Sequence, residues 1–307
     1  MYFEGKCTAE KLVPSIVQHI TAATDESGNR LWEMDSSKVG TRDKNNSDNG
    51  WVFKSKGTSG EDNLVIGFAN GLALTDQSFQ WLFGGLMFVA SDYQPGIPGT
   101  NGTFKGYMQE SLPVFAEEWN SYTFDNLPMR YYLSVTKDRV ICAYYTDVIH
   151  SHSRSNLIYL GKPAWSADPN DRGSVLASGL GYLYSSASYV RMTNPFSVIT
   201  DEISSFTVRA DLSDQARGWG GKLYPSRMVL VHSASGRGGR RGILDLLVVR
   251  QDGQFRKVDT VKIEGTEFLG IELPYTTSLR ANHNNINNNF VPLNYQTGSL
   301  MYLFPKI

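Results

Sequence analysis

Cysteine is nearly missing from this chain of 307 residues, which carries Cys7 and Cys142 and no others. The two lie far apart and match no metal-ligand spacing, and a secreted disulfide scaffold would normally carry more. Both are read as reduced thiols, Cys142 as a small apolar strand residue. An excess of either charge is also missing. Lys and Arg number 29 against 30 Asp and Glu, a formal charge of −1, so no global field draws the chain to nucleic acid or to an anionic membrane. Long apolar runs are absent: Phe79 to Ala90 is broken by Gly84-Gly85 and is too short to span a bilayer. Met1 to Cys7 has no basic flank leading into an apolar stretch, so the expectation is a soluble protein made in a cytoplasm, without a signal peptide. Catalytic signatures are missing as well. There is no Gly-x-Ser-x-Gly elbow, no His-Glu-x-x-His and no Cys–His arrangement that spacing defends. No catalytic residue and no cofactor site is therefore expected.

What is present points to a packed β protein. Hydrophobic content is 41%, enough to set disorder aside, and 16 Tyr with 15 Phe and 6 Trp suit strands and wet interfaces. The length accommodates one large β domain or two ordinary ones. One segment reads as helix: Thr8 is placed to cap it, Glu10 suits its positive end, and Leu12, Ile16, Val17 and Ile20 share a face. Pro14 predicts a kink or a later start. Asp35 to Gly50 reads as an exposed polar loop. Strands are expected at Trp51–Lys54 and Asn63–Phe68 around the turn Gly57–Gly60, and at Gln80–Ala90, bent at its two glycines. Ser91 to Gly106 reads as a long loop or lid, and Glu110 to Trp119 as a short helix or bridging segment.

The clearest hairpin joins Tyr131–Thr136 to Arg139–Tyr145 through Lys137-Asp138. Further strands are expected at Arg227–His232, Ile243–Val249, Val258–Ile263, Glu267–Leu273 and Ser299–Phe304. Strands outnumber helices and rarely alternate with them, which argues against a parallel α/β sheet. The expected fold is mainly β (α+β), with antiparallel sheets in two lobes, an N-terminal helix and long loops. A Gly-, Ser-, Asp- and Pro-rich shift after Gly161-Lys162-Pro163 places the division between residues 1–163 and 164–307.

Four constellations invite a chemical reading. Ser235-Gly236-Arg237-Gly238-Gly239-Arg240-Arg241-Gly242 resembles a phosphate cradle in composition. No Lys-Ser/Thr pair follows, however, and Ile243–Val249 reads as a strand where a phosphate loop needs a helix. The better reading is a flexible hairpin connection whose arginines pair with carboxylates of a neighbouring subunit. His150 and His152 with Asp147 share a face on an extended chain but lack a third ligand. Glu117-Glu118, with Asp125 nearby, offer no second carboxylate at glycosidase separation. Tyr144, Tyr145, Tyr182, Tyr184 and Tyr189 suit a sugar- or protein-binding surface or, for most of them, ordinary strand packing. Arg237, Arg240 and Arg241, together with Asn284, Asn285, Asn287 and Asn288 from the Asn-rich stretch, are the candidate subunit interface.

Several segments in order resemble a family of tailed-bacteriophage virion structural proteins. They are the helix after Tyr2-Phe-Glu-Gly5, Trp51–Lys54 leading through Gly57–Phe68, Pro128–Ile141, Leu157–Pro163 and Arg241–Val249. Ile243 and Leu246 depart from it, standing where polar or small residues are expected. The resemblance covers most of the chain and implies a virion component, a neck, collar or tail subunit present in several copies. Its partners would be other virion proteins and further copies of itself, with no membrane and no sequence-specific nucleic acid. The alternative is a baseplate or tail-tip module that binds receptor glycan. The resemblance implies no catalytic residues.

Overall fold

The computed structural model describes residues 1–36, 50–70, 82–96, 102–105, 108–114, 125–147, 155–167, 173–180, 189–192, 204–210, 225–232, 240–251, 258–273 and 299–306. Strand β1 (Tyr2–Thr8) leads through one 3₁₀ turn (Ala9–Lys11) into α1 (Leu12–Ala22). β2 (Glu33–Ser36), β3 (Gly50–Ser55), β4 (Leu64–Asn70) and β5 (Leu82–Ala90) follow. Then come β6 (Asp92–Gln94), β7 (Thr103–Lys105) and β8 (Met108–Val114). The hairpin of β9 (Pro128–Val135) and β10 (Arg139–Thr146) precedes β11 (Ser155–Gly161), β12 (Trp165–Ser166) and β13 (Val175–Leu180). β14 (Tyr189–Met192), β15 (Ser204–Ala210), β16 (Ser226–His232) and β17 (Arg240–Gln251) continue the chain. It ends in β18 (Val258–Ile263), β19 (Thr266–Leu273) and β20 (Ser299–Pro305).

All pairings between these strands are antiparallel, as the sequence led us to expect. The main sheet has 13 strands in the order β1-β9-β10-β11-β13-β14-β15-β16-β17-β20-β19-β18, with β12 pairing back onto β17. A five-stranded sheet runs β2-β3-β4-β5-β8, and β6 with β7 forms a ribbon. The ladder crosses residue 163 without a break: β11 pairs with β13, Gly161 opposite Val175. No described helix is long and apolar enough to cross a membrane.

Side-chain alternation explains the layering. Met129, Tyr131, Leu133 and Val135 of β9 line one face with Val140, Cys142 and Tyr144 of β10 and Ile158 and Leu160 of β11. This face packs on Leu12, Val13, Ile16, Val17 and Ile20 of α1 and on Phe53, Ile66, Phe68, Met87 and Val89 of the smaller sheet. The intervening residues Tyr132, Ser134, Ile141, Ala143, Leu157 and Tyr159 are buried too. The end of the main sheet lies over them. Arg139 reaches Asp245 of β17 at 3.1 Å, β19 touches β11, and Lys306 Nζ stands 5.1 Å from the Tyr2 ring centre. Burial on both faces is why β9 to β11 read as nearly continuous apolar runs.

Local details confirm some expectations and correct others. The α-helix starts at Leu12, so Pro14 falls in its first turn, where its missing N–H costs no helical bond. Thr8 sits at the entry with extended backbone, but its side chain makes no capping bond. Gly85 takes φ +156° at a register shift between β5 and β8. A Cβ there would lie 2.4 Å from the Ala69 carbonyl oxygen and 2.8 Å from Val13, so a side chain would push both neighbours away. Ser91 to Gly106 is not simply a loop. Asp92–Gln94 pairs with Thr103–Lys105 because Tyr93 and Phe104 stack at 4.6 Å and cover Phe88 and Val65 on the outer face of the small sheet. Glu110 to Trp119, expected as a short helix or a bridging segment, belongs through Val114 to β8, which pairs with β5; residues 115–124 lie outside the described residues. Asp35 and Ser36 belong to β2 and Gly50 to β3, while 37–49 lie outside the described residues.

Candidate functional site

Among the described residues, the β9–β10 turn gathers polar contacts from several parts of the chain. Thr136 N–H donates to the Arg139 carbonyl at 2.9 Å, and Thr136 Oγ1 accepts from the Asp138 and Arg139 N–H groups, closing Lys137-Asp138. The turn's carbonyls are taken by three other parts of the chain. Trp32 Nε1 donates to Thr136 at 2.7 Å, Ser55 Oγ donates to Lys137, and Lys162 N–H donates to Asp138 at 2.7 Å. The Asp138 carboxylate accepts from Thr58 N–H at 2.7 Å and Thr58 Oγ1 at 2.8 Å.

Beside this turn stands a buried ion pair. Asp62 has a side chain 1% exposed and receives Lys162 Nζ on both oxygens, at 2.8 and 2.9 Å, with Ser59 Oγ donating at 2.8 Å. Two glycines make the approach possible. Gly57 has φ +62°, and a Cβ would lie 2.2 Å from Asp62 Oδ2; Gly161 has φ +117°, and a Cβ would lie 2.3 Å from the Asp138 carbonyl oxygen. Tyr159, fully buried, donates to the Lys162 carbonyl at 2.6 Å, and burial pushes its phenol well above the usual range. On the same face as Tyr159, Arg139 carries the network to Asp245. Each carboxylate here is held by a cation or by N–H and O–H donors, an arrangement that fixes geometry and suits joining elements.

A second polar group joins α1 to the sheet. His19 Nε2 lies 2.9 Å from Tyr131 Oη, and its ring stacks on Phe3 at 4.6 Å. Burial lowers the His19 pKa below its ordinary value. Burial likewise pushes the Cys7 thiol up to about 11, against a smaller lowering by Ser15. Cys142 is displaced upward further by complete burial. Both cysteines are free, and their protonated thiols are poor nucleophiles.

The sequence-derived candidates are placed unevenly. Arg240 and Arg241 open β17, with Arg240 opposite Val231 of β16, so the glycine–arginine stretch joins two antiparallel strands and leads into a strand. Arg237 and Asn284, Asn285, Asn287 and Asn288 lie outside the described residues, as do His150, His152, Glu117, Glu118, Tyr182 and Tyr184. Asp147 is bound by Arg130 at 3.1 Å and Lys6 at 3.3 Å. Burial works to raise its carboxyl, but these two cations outweigh it and hold the pKa below the ordinary value. Among the described residues no three His, Cys, Asp or Glu are grouped to hold a metal. Tyr144 is core, whereas Tyr145 is half-buried against Tyr132.

Two features escaped the sequence reading. The Asp62–Lys162 pair joins residues a hundred positions apart, and no local pattern marks such a partner. Trp165 on β12 is 48% exposed opposite Ile243 of β17, with Ser166 opposite Gly242. This pairing gives Ile243 a neighbour in β12, and Leu246 is buried. No protein-family model matches the chain, and no curated protein matches it either.

Proposed function

We propose that the chain is a non-catalytic structural subunit of a tailed-phage virion, placed in the neck, collar or tail and present in several copies. One observation supports this best. Four segments carrying the family resemblance, Gly57–Phe68, Pro128–Ile141, Leu157–Pro163 and Arg241–Val249, converge on the network just described. Asp62 meets Lys162, Thr58 meets Asp138, and Arg139 meets Asp245. The segments that carry the resemblance thus form one connected part of the fold. The subunit's partners are other virion proteins and further copies of itself. It is made in the host cytoplasm and resides in the particle, and it contacts neither membrane nor specific nucleic-acid sequence.

The exposed Trp165 beside the start of β17, where Arg240 and Arg241 stand, supports an assembly surface there, because Trp and Arg concentrate at interface hot spots. The same exposed indole favours the second reading, a baseplate or tail-tip module stacking on receptor sugar. Tagged protein located in negatively stained particles tests both. Label at the neck or along the tail is the expected result, label at the distal tip favours the second reading, and absence from particles overturns both. Turnover of peptidoglycan or polysaccharide by clean protein would overturn the non-catalytic assignment.

A further inference from the structure

Strand β1 closes one end of the main sheet, and its outer edge carries a charge pattern that selects a partner. Val135 N–H donates to the Met1 carbonyl at 2.8 Å and Ala9 N–H to the Leu127 carbonyl at 2.9 Å. The odd-numbered residues therefore spend their backbone groups on β9, and Tyr2, Glu4 and Lys6 turn theirs outward. Glu4 and Lys6 are exposed, Glu4 accepting from Tyr2 Oη at 3.0 Å and Lys6 lying 3.3 Å from Asp147, surface contacts that pairing across the edge would replace. Phe3 and Cys7 are partly covered apolar residues on the opposite face.

The other sheet ends are poorer templates. On β18 the outward Thr260 N–H is engaged by Asp259 Oδ1 at 2.9 Å. β8 contains Pro113, and the four described residues of β2 include a register shift.

We infer that β1 pairs antiparallel with β1 of a second copy, about a two-fold axis at Gly5. Outward backbone groups must face one another, which restricts the self-registers. Centring on Glu4 sets Glu4 against Glu4, and centring on Lys6 sets Lys6 against Lys6. Centring on Gly5 sets Glu4 opposite Lys6 twice by symmetry, and Phe3 opposite Cys7 on the other face. The central pair is the close, non-hydrogen-bonded kind, and glycine leaves it clear. Glycine is required there independently, since a Cβ on Gly5 would lie 2.3 Å from Tyr131 Oη. The contact is isologous and stands apart from the virion reading, which concerns where the protein resides.

The test is the mass of the purified full chain by light scattering during size exclusion, at protein concentrations up to about 100 µM, a range that captures weak pairing. Wild type is expected at twice 34.2 kDa. Glu4→Lys and Lys6→Glu should each weaken the dimer by about tenfold or more, because both cross-pairs become like-charged. Mixing these two variants should restore a dimer, since one strand then presents two cations to the two carboxylates of the other. Thermal melts verify that each variant is folded. A monomeric wild type overturns the inference, as does a dimer that neither substitution weakens. Failure of the folded variants to complement each other overturns the register. Particle labelling is decided separately, so either conclusion can fail alone.

Discussion

Replacing Lys162 by Met keeps the side chain's length and removes its charge from a carboxylate that is 1% exposed. Asp62 would then retain Ser59 Oγ but lose both bonds to Lys162 Nζ. Breaking one partner of a buried pair costs roughly 3–5 kcal/mol. Lys162 itself is 29% exposed, so water partly replaces it and the lower figure, about 3 kcal/mol, applies. Unfolding entropy of about 2.1 cal/mol/K per residue gives roughly 0.6 kcal/mol/K for the 307 residues, so the melting temperature should fall by about 5 °C. Adding Asp62→Asn removes the stranded charge, so the double variant should melt no lower than Lys162→Met alone. The exposed pair Lys11–Glu10, 63% and 43% exposed, is the control; Lys11→Met should shift the melt by no more than about 1 °C, as surface pairs contribute little. Calorimetric melts at low and high salt measure all three. A shift near zero for Lys162→Met, or additive losses in the double variant, would refute the buried-pair account.

Gly57→Ala should destabilise by about 2 kcal/mol or more, since left-handed backbone alone costs roughly 1–2 kcal/mol and the new Cβ meets Asp62 as well. Gly60→Ala, at φ +77° with nothing within 4 Å, should cost only the backbone part, and denaturant titrations separate the two. His19 has a folded pKa below its unfolded value near 6.5, so the unfolded chain binds the extra proton as pH falls. Stability should therefore be full above pH 6.5 and decline below it toward the folded pKa. His19→Gln should flatten that slope in melts taken between pH 5 and 8, and a slope left unchanged would exclude His19. Neither Cys7 nor Cys142 should react with a disulfide reagent at pH 8 at the rate of a free thiol, and unfolding should release both. Fast labelling of Cys142 in the native state would contradict its burial.

Much of the fold could be read from residue order, because its strands are rich in β-branched and aromatic residues and bounded by turn residues. Tyr131–Tyr145 carries β-branched and aromatic residues around Lys137-Asp138 and forms that hairpin. Val258–Ile263 and Glu267–Leu273 flank Glu264-Gly265, both with positive φ, the pattern of a tight two-residue turn. Short elements were harder. Asp92–Gln94 and Thr103–Lys105 are three residues each among glycines and prolines, and become a ribbon only because Tyr93 and Phe104 find Phe88 beneath them. Met108–Val114 contains Glu110 and Pro113, which local propensity assigns elsewhere, yet β5 lies ready as a template. The candidate interface was legible only as composition: Arg240 and Arg241 could be placed before a strand, but Trp165 opposite that strand could not.

The glycine- and proline-rich stretch after β11 has a role that composition alone does not convey. Gly161 takes its positive φ where the chain crosses the β9–β10 turn, and Lys162 immediately supplies both the N–H to Asp138 and the ammonium to Asp62. Pro163 is buried, Trp165-Ser166 pairs outward with β17, and Val175 then returns beside Gly161. The stretch thus leaves the sheet, touches its distant part and rejoins it. Arg139–Asp245 ties the same two regions, so a strand pairing and an ion pair both join them. Were the subunit to assemble as proposed, that relation would have to hold, because Arg240, Arg241 and Trp165 share the β12–β17 corner while β1 lies at the sheet's far end. Displacement of the corner relative to β1 would alter the angle between any two contacts made there, and Arg139–Asp245 with the β12–β17 pairing ties the corner to the β9–β11 part of the sheet.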